Sequence, residues 1–127
     1  MAEKKYKRRV VDQLLAERLE EVGAVLIEGP KWCGKTTTAL QQARSTVMLA
    51  NPEVLQQSKS MIATSASHLL SGLVPRLFDE WQTLPELWDN IRYEVDARNE
   101  EGQFILTGSA VPVESDKIVH TGTGRFA

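Results

Sequence analysis

The sequence predicts an α/β fold in which helices alternate with the strands of a parallel sheet. Three observations lead to this prediction: four short apolar runs, helical patterns between them, and a glycine-rich loop that joins the first run to a helix. Strands alternating with helices form parallel sheets with right-handed crossovers, and such sheets bind ligands at the carboxyl ends of their strands. At 127 residues, 42% of them apolar, the chain is long enough for one domain with its own core.

The first two elements are a helix over residues 8–22 and a strand over residues 23–28. Apolar residues recur at helical spacing in the first segment, and Gly23 follows it as a C-terminal stop. The second segment is a short apolar run, partly β-branched, which is typical of a buried parallel strand. The helix is therefore expected to pack against the sheet.

The middle of the chain predicts a second strand over residues 46–50 and a helical stretch after it. Asn51 fits a helix N-cap, with Pro52 at the first helical position. Residues 53–71 are helical in pattern, but a Thr-Ser-Ala-Ser cluster at residues 64–67 interrupts them. One helix and two short helices both remain open.

The last regular elements are a third strand over residues 76–80, an amphipathic helix from Leu84 to near Gly102, and a fourth strand over residues 103–107. From Ala110 onward the sequence is loop-like. The predicted sheet therefore has four parallel strands.

The loop after the first strand matches the G-x-x-x-x-G-K-[ST] phosphate-binding pattern at every fixed position. Its glycines allow a tight turn whose N–H groups bind anions, and the next helix directs its positive end at the same phosphates. Lys35 is expected to reach the β- and γ-phosphates and to act in catalysis, and the Thr36 hydroxyl to bind Mg²⁺. The alternative is a glycine turn with a coincidental Lys-Thr pair. The predicted nucleotide-binding residues here are Gly29, Pro30, Lys31, Trp32, Cys33, Gly34, Lys35, Thr36 and Thr37.

Two carboxylates follow the third apolar run, at the end of a predicted strand. Asp79 is the expected Mg²⁺ residue, acting through water, and Glu80 the group that polarises the attacking water. Adjacent residues on a strand point to opposite sides, so the pair can serve two roles. An ordinary strand end is the alternative, but the phosphate loop 43 residues earlier favours the functional interpretation.

Three further residues are weaker candidates. Thr107 and Ser109 lie where a fourth strand would place a polar sensor of the γ-phosphate, although a Gly-Ser turn explains them as well. Arg125 is a candidate arginine finger that would stabilise charge on the transferring phosphoryl group. A solvated arginine in a tail is the alternative.

Composition narrows the class of protein. No apolar stretch approaches the length of a membrane span, and the start of the sequence has no signal-peptide pattern. The single cysteine excludes an intramolecular disulfide, and we expect a cytoplasmic protein. A net charge of −2 gives no global attraction to nucleic acid. The basic residues at 4–9 form either a local nucleic-acid patch or, as the alternative, a solvated helix start.

Three segments together, residues 25–38, 75–82 and 102–110, resemble the prokaryotic AAA-type ATPases. In that family an N-terminal ATPase domain precedes a domain of unknown function with a restriction-endonuclease-like core. The resemblance implies ATP and Mg²⁺ as ligands and a three-layer P-loop NTPase fold. Gly29–Thr36 then match the Walker A motif, Asp79 and Glu80 the Walker B motif, and residues 107–109 the sensor region.

Family members of this kind continue for hundreds of residues, so we expect a C-terminally truncated ATPase domain over residues 1–127. It would consist of the leading helix at 8–22, a nucleotide-binding core at 24–110 and a loop-like tail at 111–127. A fifth strand would be missing beside the first, which would leave an apolar sheet edge open to self-association or to a partner.

The predicted function is ATP binding with Mg²⁺-dependent hydrolysis, provided that the missing region or a partner completes the domain. The absence of an Asn-Lys-x-Asp motif favours ATP over GTP. The alternative is a nucleotide-binding fragment or interaction module without independent hydrolysis, linked in one version to nucleic acid. A small-molecule phosphotransferase is weaker, because no acceptor pocket is visible in the sequence.

Overall fold

The computed structural model describes residues 10–29 and 34–109. Five α-helices and four strands form in this part of the chain, together with one short 3₁₀ helix over Trp81–Thr83. In chain order the elements are α1 (Val10–Leu19), β1 (Ala24–Gly29), α2 (Lys35–Gln42), β2 (Ser45–Met48), α3 (Pro52–Thr64), α4 (Ala66–Leu70), β3 (Arg76–Asp79), α5 (Leu87–Arg98) and β4 (Phe104–Ser109).

All four strands lie in one parallel sheet with the order β1-β4-β3-β2. This confirms the predicted α/β fold with a four-stranded parallel sheet. The last strand in sequence is inserted between the first and third, and five of its six residues are buried. Because the strands are parallel, the carboxyl ends of β1, β3 and β4 lie side by side at the same end of the sheet. The last residues of these strands are Gly29, Asp79 and Ser109.

Alternate residues of each strand enter separate cores on the two faces of the sheet. In β4, Phe104 and Leu106 join one apolar cluster, whereas Ile105 joins the other. The first cluster includes apolar side chains of α3, α4 and α5, and the second those of α1 and α2. Period-two alternation over two apolar faces is what a strand covered by helices on both sides requires. The predicted three-layer arrangement is therefore present.

Helix α1 ends earlier than predicted, at Leu19 instead of residue 22. The carbonyls of Val22 and Gly23 accept hydrogen bonds from the backbone of residues 102–104, so this segment is committed to the turn before β4. Gly23 also has a role other than a helix stop. A Cβ there would collide with Val95 of α5, so a glycine allows the two segments to approach closely.

The helical stretch after β2 divides into two helices, α3 and α4, which resolves the open alternative. Asn51 caps α3 as predicted, with its side-chain oxygen 2.9 Å from the Glu53 amide nitrogen. Ser65 separates the helices in an extended conformation, and the Thr64 hydroxyl bonds to the Ser60 carbonyl in the last turn of α3. Local side-chain hydrogen bonding of this kind is why such residues favour helix ends.

The amphipathic helix α5 is shorter at both ends than the sequence predicts. Leu84 is buried but lies in the turn after the 3₁₀ helix, so α5 begins at Leu87. It ends at Arg98 because Asn99 adopts a left-handed conformation with φ of 54°. Asparagine tolerates this conformation and commonly ends helices in it.

No helix in the two described segments has both the length and the apolar character needed to cross a membrane.

Candidate active site

The N-terminus of α2 follows the phosphate-loop glycine Gly34. This residue has φ of 82° and ψ of 17°, a left-handed conformation that glycine adopts without the steric cost of a Cβ. The next residue, Lys35, begins the helix, and only 3% of it is exposed. Thr36 is half-buried, whereas Thr37 is exposed on the same turn. The helix end therefore presents a left-handed glycine and a buried lysine beside the end of β1.

The carboxylate of Asp79 links the phosphate-loop helix to the sheet. The Thr36 hydroxyl donates a hydrogen bond to Asp79 Oδ1 over 2.8 Å, across 43 residues of sequence. Asp79 itself is 5% exposed and lies at the last position of β3. The two residues predicted as Mg²⁺ ligands are thus brought together directly.

Thr107 holds the same carboxylate from the neighbouring strand. It pairs in register with Asp79, is fully buried, and donates from Oγ1 to Asp79 Oδ1 over 2.6 Å. Its hydroxyl oxygen also accepts a bond from the Glu80 amide over 3.3 Å. In the structure Thr107 supports Asp79 and Glu80, and a direct contact with a γ-phosphate stays a prediction.

Glu80 lies beyond the strand, and its predicted place as the last strand residue is wrong. Its φ of 59° and ψ of 51° are left-handed values, uncommon for a residue with a side chain. The chain therefore turns at this point into the 3₁₀ helix, and the Thr83 amide and hydroxyl both donate to the Glu80 carbonyl. The turn, not the strand alternation expected from sequence, sets the direction of the Glu80 side chain.

Two donors bracket the Glu80 carboxylate. Gln82 Nε2 donates to Oε1 over 2.6 Å, and the Ser109 hydroxyl lies 3.2 Å from Oε1 and 3.5 Å from Oε2. Sequence reasoning found Ser109 as a candidate but missed Gln82. A glutamine in a turn gives no periodic signal, and only its closeness to Glu80 in sequence could have indicated it.

Several predicted site residues fall outside the described part of the chain. These are four phosphate-loop residues, the candidate arginine finger and the basic cluster at 4–9, namely Pro30, Lys31, Trp32, Cys33, Arg125 and residues 4–9. Five of the predicted residues that are described form one hydrogen-bonded chain at the carboxyl ends of the strands. They are Thr36, Asp79, Thr107, Glu80 and Ser109.

Strand β1 is the first strand in the sheet order, with β4 as its neighbour, and a groove of about 270 Å³ lies between β1 and α1. Most of the lining is apolar and includes Leu26 and Ile27 of the strand and Leu14 of the helix. Leu14 is 50% exposed. Within the described residues, the groove is thus lined by the terminal strand of the sheet, which is the strand predicted to have an open edge.

Comparison with known proteins identifies a family. A family model described as an AAA domain matches residues 21–127. Two curated relatives, the uncharacterized protein Rv2008c of Mycobacterium tuberculosis and the uncharacterized protein Mb2031c of Mycobacterium bovis, are each 33% identical over 110 residues. The match covers 83% of this chain but only 24% of either relative, so the chain spans about a quarter of their length.

Proposed function

The chain belongs to the AAA domain family, and on this basis we propose that it binds ATP with Mg²⁺ and hydrolyses the terminal phosphate. The observation that carries the proposal is that Thr36, Asp79 and Glu80 lie together at the carboxyl ends of the strands. A phosphate-binding helix end, a metal-binding carboxylate and a second carboxylate beside it are the parts that phosphoryl transfer to water requires.

Nucleotide binding would use the start of α2. The backbone N–H groups and the positive end at the start of this helix would attract phosphate oxygens. The buried ammonium of Lys35 would neutralise charge on the β- and γ-phosphates. Thr37, exposed on the same turn, would contribute its backbone N–H.

The side chains present fit a magnesium ion. The Thr36 hydroxyl donates its proton to a hydrogen bond with Asp79, and the lone pairs of the hydroxyl oxygen would bind the cation. Both threonine hydrogen bonds to Asp79 fall on Oδ1, and Oδ2 would bind a water of the hydration shell. Hard oxygen ligands, few in number and supplemented by water, are what Mg²⁺ prefers. When bound, the ion would neutralise charge on the phosphate oxygens.

In the proposed hydrolysis, Glu80 acts as the general base for the attacking water. As the water oxygen bonds to the γ-phosphorus and the bond to the β-phosphate oxygen breaks, Glu80 would accept a water proton, giving ADP and phosphate. Arg125 stays a proposed finger that would stabilise charge in this step. A cytoplasmic location is part of the proposal, because a single cysteine fits a reducing compartment.

The test is ATP turnover by the wild type and by Glu80→Gln, with ATP binding measured on both. We expect Glu80→Gln to lose about 100-fold or more in kcat, as general-base catalysis contributes that much, and to retain ATP binding. Equal turnover by the two proteins would show that Glu80 is not the base.

We also propose a second, non-catalytic role, in which the groove beside β1 binds a strand of a second copy of this chain. The half-exposed Leu14 and the groove beside the strand edge support it. Leu14→Lys should weaken self-association measured by sedimentation and leave the unfolding midpoint unchanged. A wild type that stays monomeric at high concentration contradicts this role.

A link to nucleic acid rests only on the basic residues at 4–9. DNA binding that is absent, or that does not weaken as salt increases, would contradict it.

A further inference from the structure

Two side chains, Gln82 and Ser109, hold the Glu80 carboxylate. Its Oε1 accepts hydrogen bonds from Gln82 at 2.6 Å and from the Ser109 hydroxyl at 3.2 Å. Among the described residues, its Oε2 has only the longer contact with the Ser109 hydroxyl, at 3.5 Å. We propose that Gln82 is a positioning residue for hydrolysis: with Ser109 it immobilises Oε1, so that Oε2 is held ready to take the water proton. The inference rests on the proposed ATPase function.

The orientation of the Gln82 amide supports a dedicated role. Its Oε1 is buried and has no hydrogen-bond partner in the described part of the chain, while its Nε2 meets the carboxylate at 2.6 Å. Turning the amide around would place its oxygen against the carboxylate, so only the observed orientation makes a bond. Leaving a buried oxygen unsatisfied is unfavourable. The hydrogen bond from the other end of the amide to Glu80 offsets this unfavourable burial.

Packing against β4 holds the amide in place. A Cβ on Gly108 would lie 2.9 Å from Gln82 Oε1 and 3.0 Å from the indole nitrogen of Trp81. Gln82 and Trp81 therefore lie directly against the strand backbone, in space that any side chain at position 108 would occupy. The left-handed turn at Glu80 brings the 3₁₀ helix into this position.

The hydrogen bond from Ser109 also locates the Glu80 carboxylate relative to the phosphate loop. Ser109 pairs in register with Gly29, the first residue of the phosphate loop. The hydrogen bond from Ser109 therefore holds the Glu80 carboxylate at the strand end that leads into the phosphate loop.

The test is steady-state ATP hydrolysis by Gln82→Met, which keeps the side-chain volume and removes the donor. We expect kcat to fall about tenfold or more, the size of a lost hydrogen bond to a charged group, with the KM for ATP unchanged within about twofold. Gln13→Met is the matched control, because Gln13 is exposed on α1, and it should behave as the wild type. On a Glu80→Gln background, Gln82→Met should cause no further loss.

Ser109 provides a second route if Gln82→Met does not fold. Ser109→Ala should lower kcat in the same way, and Ser109→Thr, which keeps the hydroxyl, should restore it. Unchanged or increased kcat in Gln82→Met, or an increased KM alone, overturns the positioning role while the ATPase proposal stands. A folded wild type that binds ATP without hydrolysing it overturns the hydrolysis proposal, and the role of Gln82 fails with it.

Discussion

Replacing Thr107 with valine removes the hydroxyl that joins the two carboxylate-bearing positions while keeping the shape of the side chain. Thr107 is fully buried, donates to Asp79 over 2.6 Å and accepts from the Glu80 amide over 3.3 Å. Water cannot readily replace either bond at such a site. Thr107→Val should therefore lower the free energy of unfolding through hydrogen bonding alone.

The magnitude follows from the two bonds. A hydrogen bond to a charged group contributes about 1.5–3 kcal/mol and one between neutral groups about 0.5–1.5 kcal/mol. Thr36 still donates to Asp79 Oδ1 in the variant, so the lower values apply. We expect a loss of about 2–3 kcal/mol, a large share of the 5–15 kcal/mol that typically stabilises a domain.

Urea unfolding followed by tryptophan fluorescence measures this loss. With a slope of about 2 kcal/mol per molar urea, the midpoint should fall by about 1–1.5 M. Thr107→Ser is the matched control, because it keeps the hydroxyl and loses one methyl, at a cost of about 1 kcal/mol. A valine variant as stable as the wild type, or more stable than the serine variant, would show that the Thr107 hydrogen bonds do not stabilise the fold.

Two further substitutions test the fold around the site. Asn51→Ala removes the oxygen that caps α3, so the unfolding free energy should decrease by about 1 kcal/mol in urea titrations, and Asn51→Asp should restore most of it. Gly23→Ala places a methyl against Val95 and should lower the unfolding free energy by about 1–3 kcal/mol. In the double variant with Val95→Ala, the total loss should be smaller than the sum of the two single losses. Full additivity in that pair would show that the two residues do not press against each other.

The sequence was sufficient to predict the parallel sheet and the positions of Thr36 and Asp79, because both depend on local patterns that recur along the chain. The apolar runs locate the strands, and the spacing of Gly34, Lys35 and Thr36 locates the loop-to-helix junction. The order in which strands pair is a separate matter. The insertion of β4 between β1 and β3 is what brings Thr107 against Asp79.

Long-range packing accounts for what sequence patterns did not predict. The helix α1 stops early because the Val22 and Gly23 carbonyls bond to a loop 80 residues later. Glu80 leaves the strand because the chain turns in a left-handed conformation, which no propensity of glutamate favours. Gln82 then meets Glu80 only because that turn folds the chain back. These contacts depend on tertiary structure, so neither periodicity nor motif spacing reveals them.

We propose above all that the loop ending at Thr36 binds ATP together with Mg²⁺. Calorimetric titration of ATP into the wild type and into Lys35→Met, with and without Mg²⁺, tests it most directly, with urea unfolding measured on both proteins. Methionine keeps the buried stem of the side chain and removes its charge. We expect Mg²⁺-dependent binding by the wild type and a weakening of about tenfold or more in the variant, with the urea curves establishing that both proteins are folded. A folded wild type that does not bind ATP, or equal binding by the two proteins, would contradict it.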